Sequence, residues 1–217
     1  NSNYGTACVL TISGTSISLG TEVVFNSGNT QDTIATAFDP DRNEVGIFWQ
    51  STEINDAGYS NAGTVSGTSI SFPTGASPFT ATSGVEVQNI SATYATNSNQ
   101  YIVVFEDRTD SGKGKYVIGT SDGASASPSI NFTTAANFDS GNTDFISSVY
   151  DPDQNTTVIT YKDESNSGYG TAIGLQMVGA TTNFTIGSTY YVQDDGTLST
   201  TSSSVTAGKA IANTTLL

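Results

Sequence analysis

The chain has 217 residues with 6 Lys and Arg against 20 Asp and Glu, a formal charge of −14, and no His. So acidic a chain is a poor match for nucleic-acid phosphates or an anionic membrane, and the lack of His removes the commonest general base and metal ligand and any Ser–His triad within the chain. Charged residues are only 12% of the total, about half the usual share, so polarity rests on 63 Ser and Thr and 22 Gly.

The first seven residues, Asn1 to Ala7, show no initiator Met, basic n-region or apolar h-region, and nearly repeat Asn166 to Ala172. A sequence that opens inside its own motif is expected to be a processed or partial piece of something longer. Four β-rich runs follow in the first unit: Ala7 to Ile12, Ser16 to Phe25, Thr33 to Phe38 and Glu44 to Gln50. The second unit offers Asn61 to Val65, Ser69 to Phe72, Asn89 to Tyr94 and Gln100 to Glu106. The third offers Lys115 to Thr120, Ser129 to Phe132, Phe145 to Tyr150 and Thr156 to Lys162. Gly, Asn, Asp and Ser separate the runs, as hairpin turns require. Gly170 to Met177 begins a partial fourth unit. Beyond it, Phe184 to Leu198 reads as a hairpin turning at Asp195-Gly196, followed by Val205 to Ile211 and a terminal Leu216-Leu217. No window carries an i, i+3, i+4 apolar stripe. No stretch of about 18 apolar residues is present to cross a bilayer as a helix.

The runs recur. Tyr4 and Tyr169 lie 165 residues apart, three steps of 55, and Phe38-Asp39-Pro40-Asp41 returns as Tyr150-Asp151-Pro152-Asp153. Trp49, Phe105 and Tyr161 occupy one aromatic position at steps of 56. Fixed periods of this size mark propellers, solenoids and arrays. The expected fold is therefore all-β: three four-stranded antiparallel units, either propeller-blade-like or an open β-stack. The units run roughly over 4–58, 59–113 and 114–168, with the partial fourth from 169 closing a repeat region 1–179. Residues 180–217 are expected to form a small β-module that caps the repeats or joins copies.

The candidate chemistry is sparse. Asp39, Asp41 and Asn43, repeated as Asp151, Asp153 and Asn155, imitate the first half of a calcium loop, whose hard oxygen ligands suit Ca²⁺. The sixth position, however, is Glu44 or Thr156 rather than Gly, and the twelfth is Gln50 or Lys162 rather than Glu. A hairpin in which Asp accepts its own backbone N–H groups explains the pattern better. Glu106-Asp107 and Asp163-Glu164 offer paired carboxylates of the kind glycosidases use, but a pair copied along an array reads as solvated edges or interface groups. Cys8, in an alternating run, reads as a small packed side chain, and a single Cys excludes an internal disulfide. The regular rings Trp49, Phe105 and Tyr161, with Phe38, Tyr94 and Tyr150, are expected in the core. The less regular Tyr4, Tyr59, Tyr116 and Tyr169 are the candidate glycan contacts.

The motifs Tyr4-Gly5-Thr6-Ala7, Ser13 to Gly20, Val23 to Gly28 and Phe38-Asp39-Pro40 resemble repeats of the long structural proteins encoded by marine tailed phages, those of cyanobacteria among them. Tyr161-Lys162-Asp163, Asn166-Ser167 and the ending Tyr190 to Thr201 are similar to the same family. Phe72 to Phe79 departs from it by carrying Pro73 and Pro78 where the family continues in strand. The resemblance implies a fibre or appendage protein of a virion. The sparse chemistry makes a non-enzymatic protein without cofactor the expectation, assembled with itself and other virion proteins; the acidic balance argues against nucleic acid and membrane, and a Ser-, Thr- and Asn-rich surface of low charge density suits contact with host glycans. A secreted bacterial adhesin or extracellular filament subunit of the same repeat type is the alternative.

Overall fold

The computed structural model describes residues 3–80, 84–124 and 127–177, and the strands at 189–192, 198–199, 205–212 and 215–216. The chain divides into two units, Asn1–Met177 and Val178–Leu217. The fold is all-β, with a sheet curled into a half-barrel and no α-helix among the described residues.

In chain order the larger unit contains β1 (Gly5–Ala7), β2 (Leu10–Ser13), β3 (Ser16–Leu19), β4 (Val23–Asn26), β5 (Thr30–Asp39), β6 (Glu44–Ser51), β7 (Ala57–Ser66), β8 (Ser69–Ser71) and β9 (Ser77–Pro78). It continues with β10 (Val87–Ala95), β11 (Gln100–Asp107), β12 (Lys113–Ser121), β13 (Ile130–Phe132), β14 (Ala136–Asp151), β15 (Thr156–Asp163) and β16 (Tyr169–Gln176). The smaller unit holds β17 (Thr189–Val192), β18 (Leu198–Ser199), β19 (Val205–Ala212) and β20 (Thr215–Leu216), in the sheet order β18-β17-β19-β20. The expected turn at Asp195-Gly196 lies outside the described residues, although the strands flanking it pair, Tyr191 with Ser199 and Val192 with Leu198.

Three antiparallel meanders make up most of the larger unit. Strands β5-β6-β7-β8 form the first, and β10-β11-β12 and β14-β15-β16 are joined in one sheet because the start of β14 pairs with β12. Corresponding strands begin at Glu44, Gln100 and Thr156, and again at Ala57, Lys113 and Tyr169, in steps of 56 residues. The hairpin between the first two strands of each meander closes on an Asn in the left-handed region, Asn43 (φ 52°), Asn99 (φ 54°) and Asn155 (φ 49°). Asn enters that region more readily than other side chains of its size because it bonds locally. Each second strand leaves through a single 3-10 turn, at Thr52–Ile54, Arg108–Asp110 and Glu164–Asn166. The first strand of each meander carries a bulge, where register jumps between Gln31 and Ile34, Gln88 and Ser91, and Asp144 and Ser147. A bulge adds residues to one strand and increases its twist; the jump adds two residues in the first meander and one in each of the other two.

The structure departs most from the expected runs at three places, and β5 and β7 begin three and four residues earlier than expected. Ala7 to Ile12 is not one strand: β1 stops at Ala7 and β2 starts at Leu10, with Cys8 between them exposed rather than packed. Ser16 to Phe25 breaks at Gly20, where the chain runs so close to the Thr68 carbonyl that a Cβ would collide with it. The strand expected at Phe145 to Tyr150 is the second half of the 16-residue β14, which serves two meanders. Around Pro73 and Pro78 the outer strand of the first meander is reduced to β8 and the two-residue β9, since proline cannot donate to a ladder.

The core lies between successive meanders. Phe48, Ala37 and Ala62 of the first pack against Ile90, Tyr94, Tyr101, Val103 and Phe105 of the second, with Phe79 among them. Ile102, Val104 and Ala95 of the second pack against Ile146, Ile159 and Tyr161 of the third, with Met177. The innermost strands β10 and β14 are also tied by Ser91, whose Oγ lies 2.9 Å from Ser148 Oγ and accepts the Ser148 N–H at 2.9 Å.

Candidate functional site

The repeated Asp-Pro-Asp hairpins are held together from within. Asp39 Oδ1 accepts the N–H groups of Asp41 (2.9 Å) and Arg42 (3.2 Å), while its Oδ2 bonds Arg42 Nη1 at 3.0 Å. Asp151 Oδ1 accepts from Asp153 N (2.9 Å) and Gln154 N (3.2 Å). These are Asx turns, with the proline fixing φ at the corner. Asn155 accepts from Tyr150 Oη at 2.7 Å and donates to the Met177 carbonyl, and Asn43 closes the first hairpin in the left-handed region. Asp41 and Asp153 point to solvent. Among the described residues no three His, Cys, Asp or Glu side chains converge as a metal-holding group.

The acidic neighbours at the far end of the second strands are not equivalent pairs, and they are not all solvated. Aligned by strand register, Asp107 corresponds to Asp163, and Glu106 to Lys162. Asp107 Oδ1 accepts from Thr109 N and Asp110 N at 3.0 and 3.1 Å, and Asp163 accepts from Asn166 N at 3.0 Å. Each caps the 3-10 turn that follows it, satisfying otherwise unpaired donors. Glu106 is fully buried, which removes the solvated-edge alternative for it and leaves that of an interface group. Its carboxylate receives Asn89 Nδ2 at 2.7 Å and Arg108 Nη1 at 3.3 Å. Burial pushes its pKa above the ordinary glutamate value against those donors. Glu164 is half-buried and paired with Lys162.

Another carboxylate, buried like Asp39, Glu106 and Asp107, carried little signal in the sequence. Glu44, at the start of β6, accepts Tyr101 Oη at 3.1 Å and Ser121 Oγ at 2.9 Å, both from the next meander. Desolvation raises its pKa, with the nearby Asp39 carboxylate acting in the same direction and the two hydroxyl donors opposing. The same burial, with the facing carboxylates, raises the Tyr101 and Tyr94 hydroxyls beyond their usual range. The sequence signal was slight, since Gln100 and Thr156 stand at the corresponding positions.

The aromatic positions divide by structural role. Trp49, Phe105 and Tyr161 are buried, and each meets a Phe edge-on: Phe25–Trp49 at 5.1 Å, Phe79–Phe105 at 5.5 Å and Phe138–Tyr161 at 5.3 Å between ring centroids. Those three Phe rings lie over Gly5, Gly58 and Gly114, where any Cβ would overlap the ring. The sequence reading missed this cradle, although Gly58, Gly114 and Gly170 stand 56 residues apart. Tyr94 is buried and Tyr150 half-buried, but Phe38 is exposed, contrary to its expected place in the core, because none of the described meanders packs on its side of β5. The four candidate glycan tyrosines do not form one surface. Tyr4 and Tyr169 are exposed, Tyr59 is half-buried against Trp49 at 6.3 Å, and Tyr116 is half-buried against the second core cluster.

An open groove of about 460 Å³ is lined by Phe145, Thr160, Tyr161, Lys162 and Gly170 to Ala172. Its exposed lining, on the third meander, is mostly apolar. No protein-family model, no curated protein and no solved structure matches this chain.

Proposed function

We propose that this chain is a non-enzymatic structural protein, a β-repeat segment of a fibre or appendage of a marine phage particle that contacts host glycans. In this reading the meanders are propeller-like blades, stacked through their inner strands β5, β10 and β14. One observation carries the structural role: the side chains that chemistry would need act as joints between strands. Asp39, Asp107, Asp151 and Asp163 hold backbone N–H groups, and Glu44 and Glu106 are buried among donors. A nucleophile or general base has to present a free, positioned group. The motif resemblance supports the virion origin, and the Ser-, Thr- and Asn-rich surface suits weak, multivalent glycan contact in salty water.

Immunogold electron microscopy, with antibody to this chain on particles and cells from its source, tests the assignment. Gold on tails or capsid appendages is the expected result. Gold on the bacterial surface or on extracellular filaments overturns the virion reading in favour of an adhesin of the same architecture.

A further inference from the structure

The partner of the buried ring differs from meander to meander. Across the second and third strands Trp49 is paired with Tyr59, Phe105 with Lys115 and Tyr161 with Thr171. Tyr59 packs on Trp49, with 6.3 Å between the ring centroids. In the second meander an ammonium takes the place of that ring, and beside it is a hollow of about 200 Å³. Val85, Phe105 and Ala135 give the hollow apolar lining, Asp107 and Lys115 give it charge, and the exposed Thr134 stands at its edge. It is formed within the chain, between the segment that follows β9 and the one that joins β13 to β14.

The charges are arranged in a particular way. Lys115 Nζ lies 2.7 Å from Asp107 Oδ2 and 2.8 Å from Asp110 Oδ2. Lys113 Nζ holds the other oxygen of Asp110 at 2.8 Å, so two ammonium groups balance two carboxylates and offer no net charge to an ionic ligand. Asp107 Oδ1 is occupied by the N–H groups of Thr109 and Asp110. An ammonium has three N–H groups and a carboxylate oxygen two lone pairs. After its internal bonds the Asp107–Lys115 pair therefore retains one donor beside one acceptor. A hydroxyl, which both accepts and donates, satisfies the two together. Among the described residues no other meander sets an ammonium against the side chain that opens its 3-10 turn: Ser51 and Asp163 stand where Asp107 does, and neither is in an ion pair.

We propose that this hollow is a sugar-binding subsite for one ring of an uncharged glycan, with a ring hydroxyl accepting from Lys115 Nζ and donating to Asp107 Oδ2, and the ring's C–H face against Val85 and Ala135. Its volume is below the roughly 300–1,000 Å³ of sites for drug-sized ligands, so it takes a single ring. The subsite rests on the reading of this chain as a glycan-contacting protein, and it moves that contact from the scattered tyrosines to the second meander.

Saturation-transfer difference NMR on the 217-residue chain, titrated with glucose, galactose, mannose and N-acetylglucosamine, tests it. At least one of these sugars is expected to bind, and glucuronic acid no more tightly. Lys115→Met keeps the aliphatic stem and removes the donor, while Ala135→Trp fills the hollow and leaves the ion pair in place. Each is expected to weaken binding at least tenfold with unchanged circular dichroism. Tyr4→Ala and Tyr169→Ala, which remove rings exposed elsewhere, are expected to bind as the parent does. A parent that binds sugar while both hollow variants bind equally well overturns the subsite and leaves the glycan reading standing. Tighter binding of glucuronic acid than of every neutral sugar overturns it too. A parent that binds none of the neutral sugars also overturns the subsite, and its retention on polysaccharide extracted from host cells reads the wider glycan contact separately.

Discussion

The two internal junctions solve one geometric problem with different chemistry. Between the first and second meanders the filling is aromatic, Phe48 meeting Phe79 at 6.2 Å and Tyr101 at 6.0 Å, and the buried Glu44 carboxylate sits at its margin. Between the second and third it is largely aliphatic, Ile102, Val104, Ile146 and Ile159, with a Ser91–Ser148 bond joining the inner strands. The backbone devices are shared: the Asn that closes each hairpin, the 3-10 turn and the bulge. The fixed element of this repeat is its backbone register, and the side chains within the junction vary as long as volume is filled.

The largest test of that difference is truncation in each junction. Phe105 is fully buried and edge-on to Phe79, so Phe105→Ala is expected to cost about 3–5 kcal/mol in urea unfolding. Ile102→Ala, in the aliphatic junction, is expected to cost about 2–5 kcal/mol, with its denaturant slope unchanged if all meanders unfold together. A separate, earlier transition in either variant would show that the junctions are independent and break the picture of one cooperative stack.

A smaller effect separates covered from uncovered glycines. At Gly58 an added methyl meets the Phe79 ring, and at Gly114 it meets Phe138, so Ala at either position is expected to cost about 1–3 kcal/mol by overpacking. Nothing lies within 4 Å of the same methyl at Gly170. There Ala removes backbone freedom from the unfolded chain and is expected to be neutral, or to stabilise by about 0.5–1 kcal/mol. Equal losses at all three positions would mean that the ring cradle is not what these glycines serve.

Much of this architecture could be read from the residues alone. Period-2 runs bounded by Gly, Asn and Asp gave most strands to within a residue or two, because alternation and turn chemistry are local. Trp49, Phe105 and Tyr161 were legible as core for the same reason, since they recur in step with the strands. What could not be read depends on neighbours distant in the chain. Phe38 carries the pattern of a core ring and lacks only a meander beside it. Glu106 looks like a strand-edge acid until Asn89 reaches it across the bulge, and Glu44 becomes a junction residue only through Tyr101 and Ser121, 57 and 77 residues later.

Glu44 also makes the aromatic junction the pH-sensitive one. Its folded pKa lies above the ordinary 4.5, chiefly through desolvation. The stability linked to it is therefore fully present below pH 4.5 and is lost as pH rises through the folded value. Glu106 acts in the same direction from the second meander. Glu44→Gln keeps a side chain that can accept from Tyr101 and Ser121 while removing the charge. It is expected to raise the melting temperature at pH 7, leave it little changed below pH 4.5, and flatten the slope between. A variant less stable than the parent at pH 7 would show that the ionised carboxylate, through those two bonds, outweighs its burial.

The smallest expected effect concerns the hairpins, where the two junctions should behave alike. Asp39 and Asp151 use Oδ1 in the same way, each accepting the N–H groups two and three residues onward. Bonds to a carboxylate contribute about 1.5–3 kcal/mol when the acceptor is ionised, and they already hold the turn. A chelator such as EDTA is therefore expected to leave the melting temperature unchanged. Asp151→Asn, which keeps an oxygen acceptor, is expected to cost less than about 1 kcal/mol, and Asp151→Ala more, because both backbone N–H groups then lose their acceptor. Asp39→Ala should exceed Asp151→Ala, since Asp39 is buried and also pairs with Arg42. A fall in melting temperature on adding EDTA, reversed by Ca²⁺ and absent from Asp39→Asn, would return these carboxylates to the role of cation ligands and make the hairpin a loop that the metal, rather than its own backbone, organises.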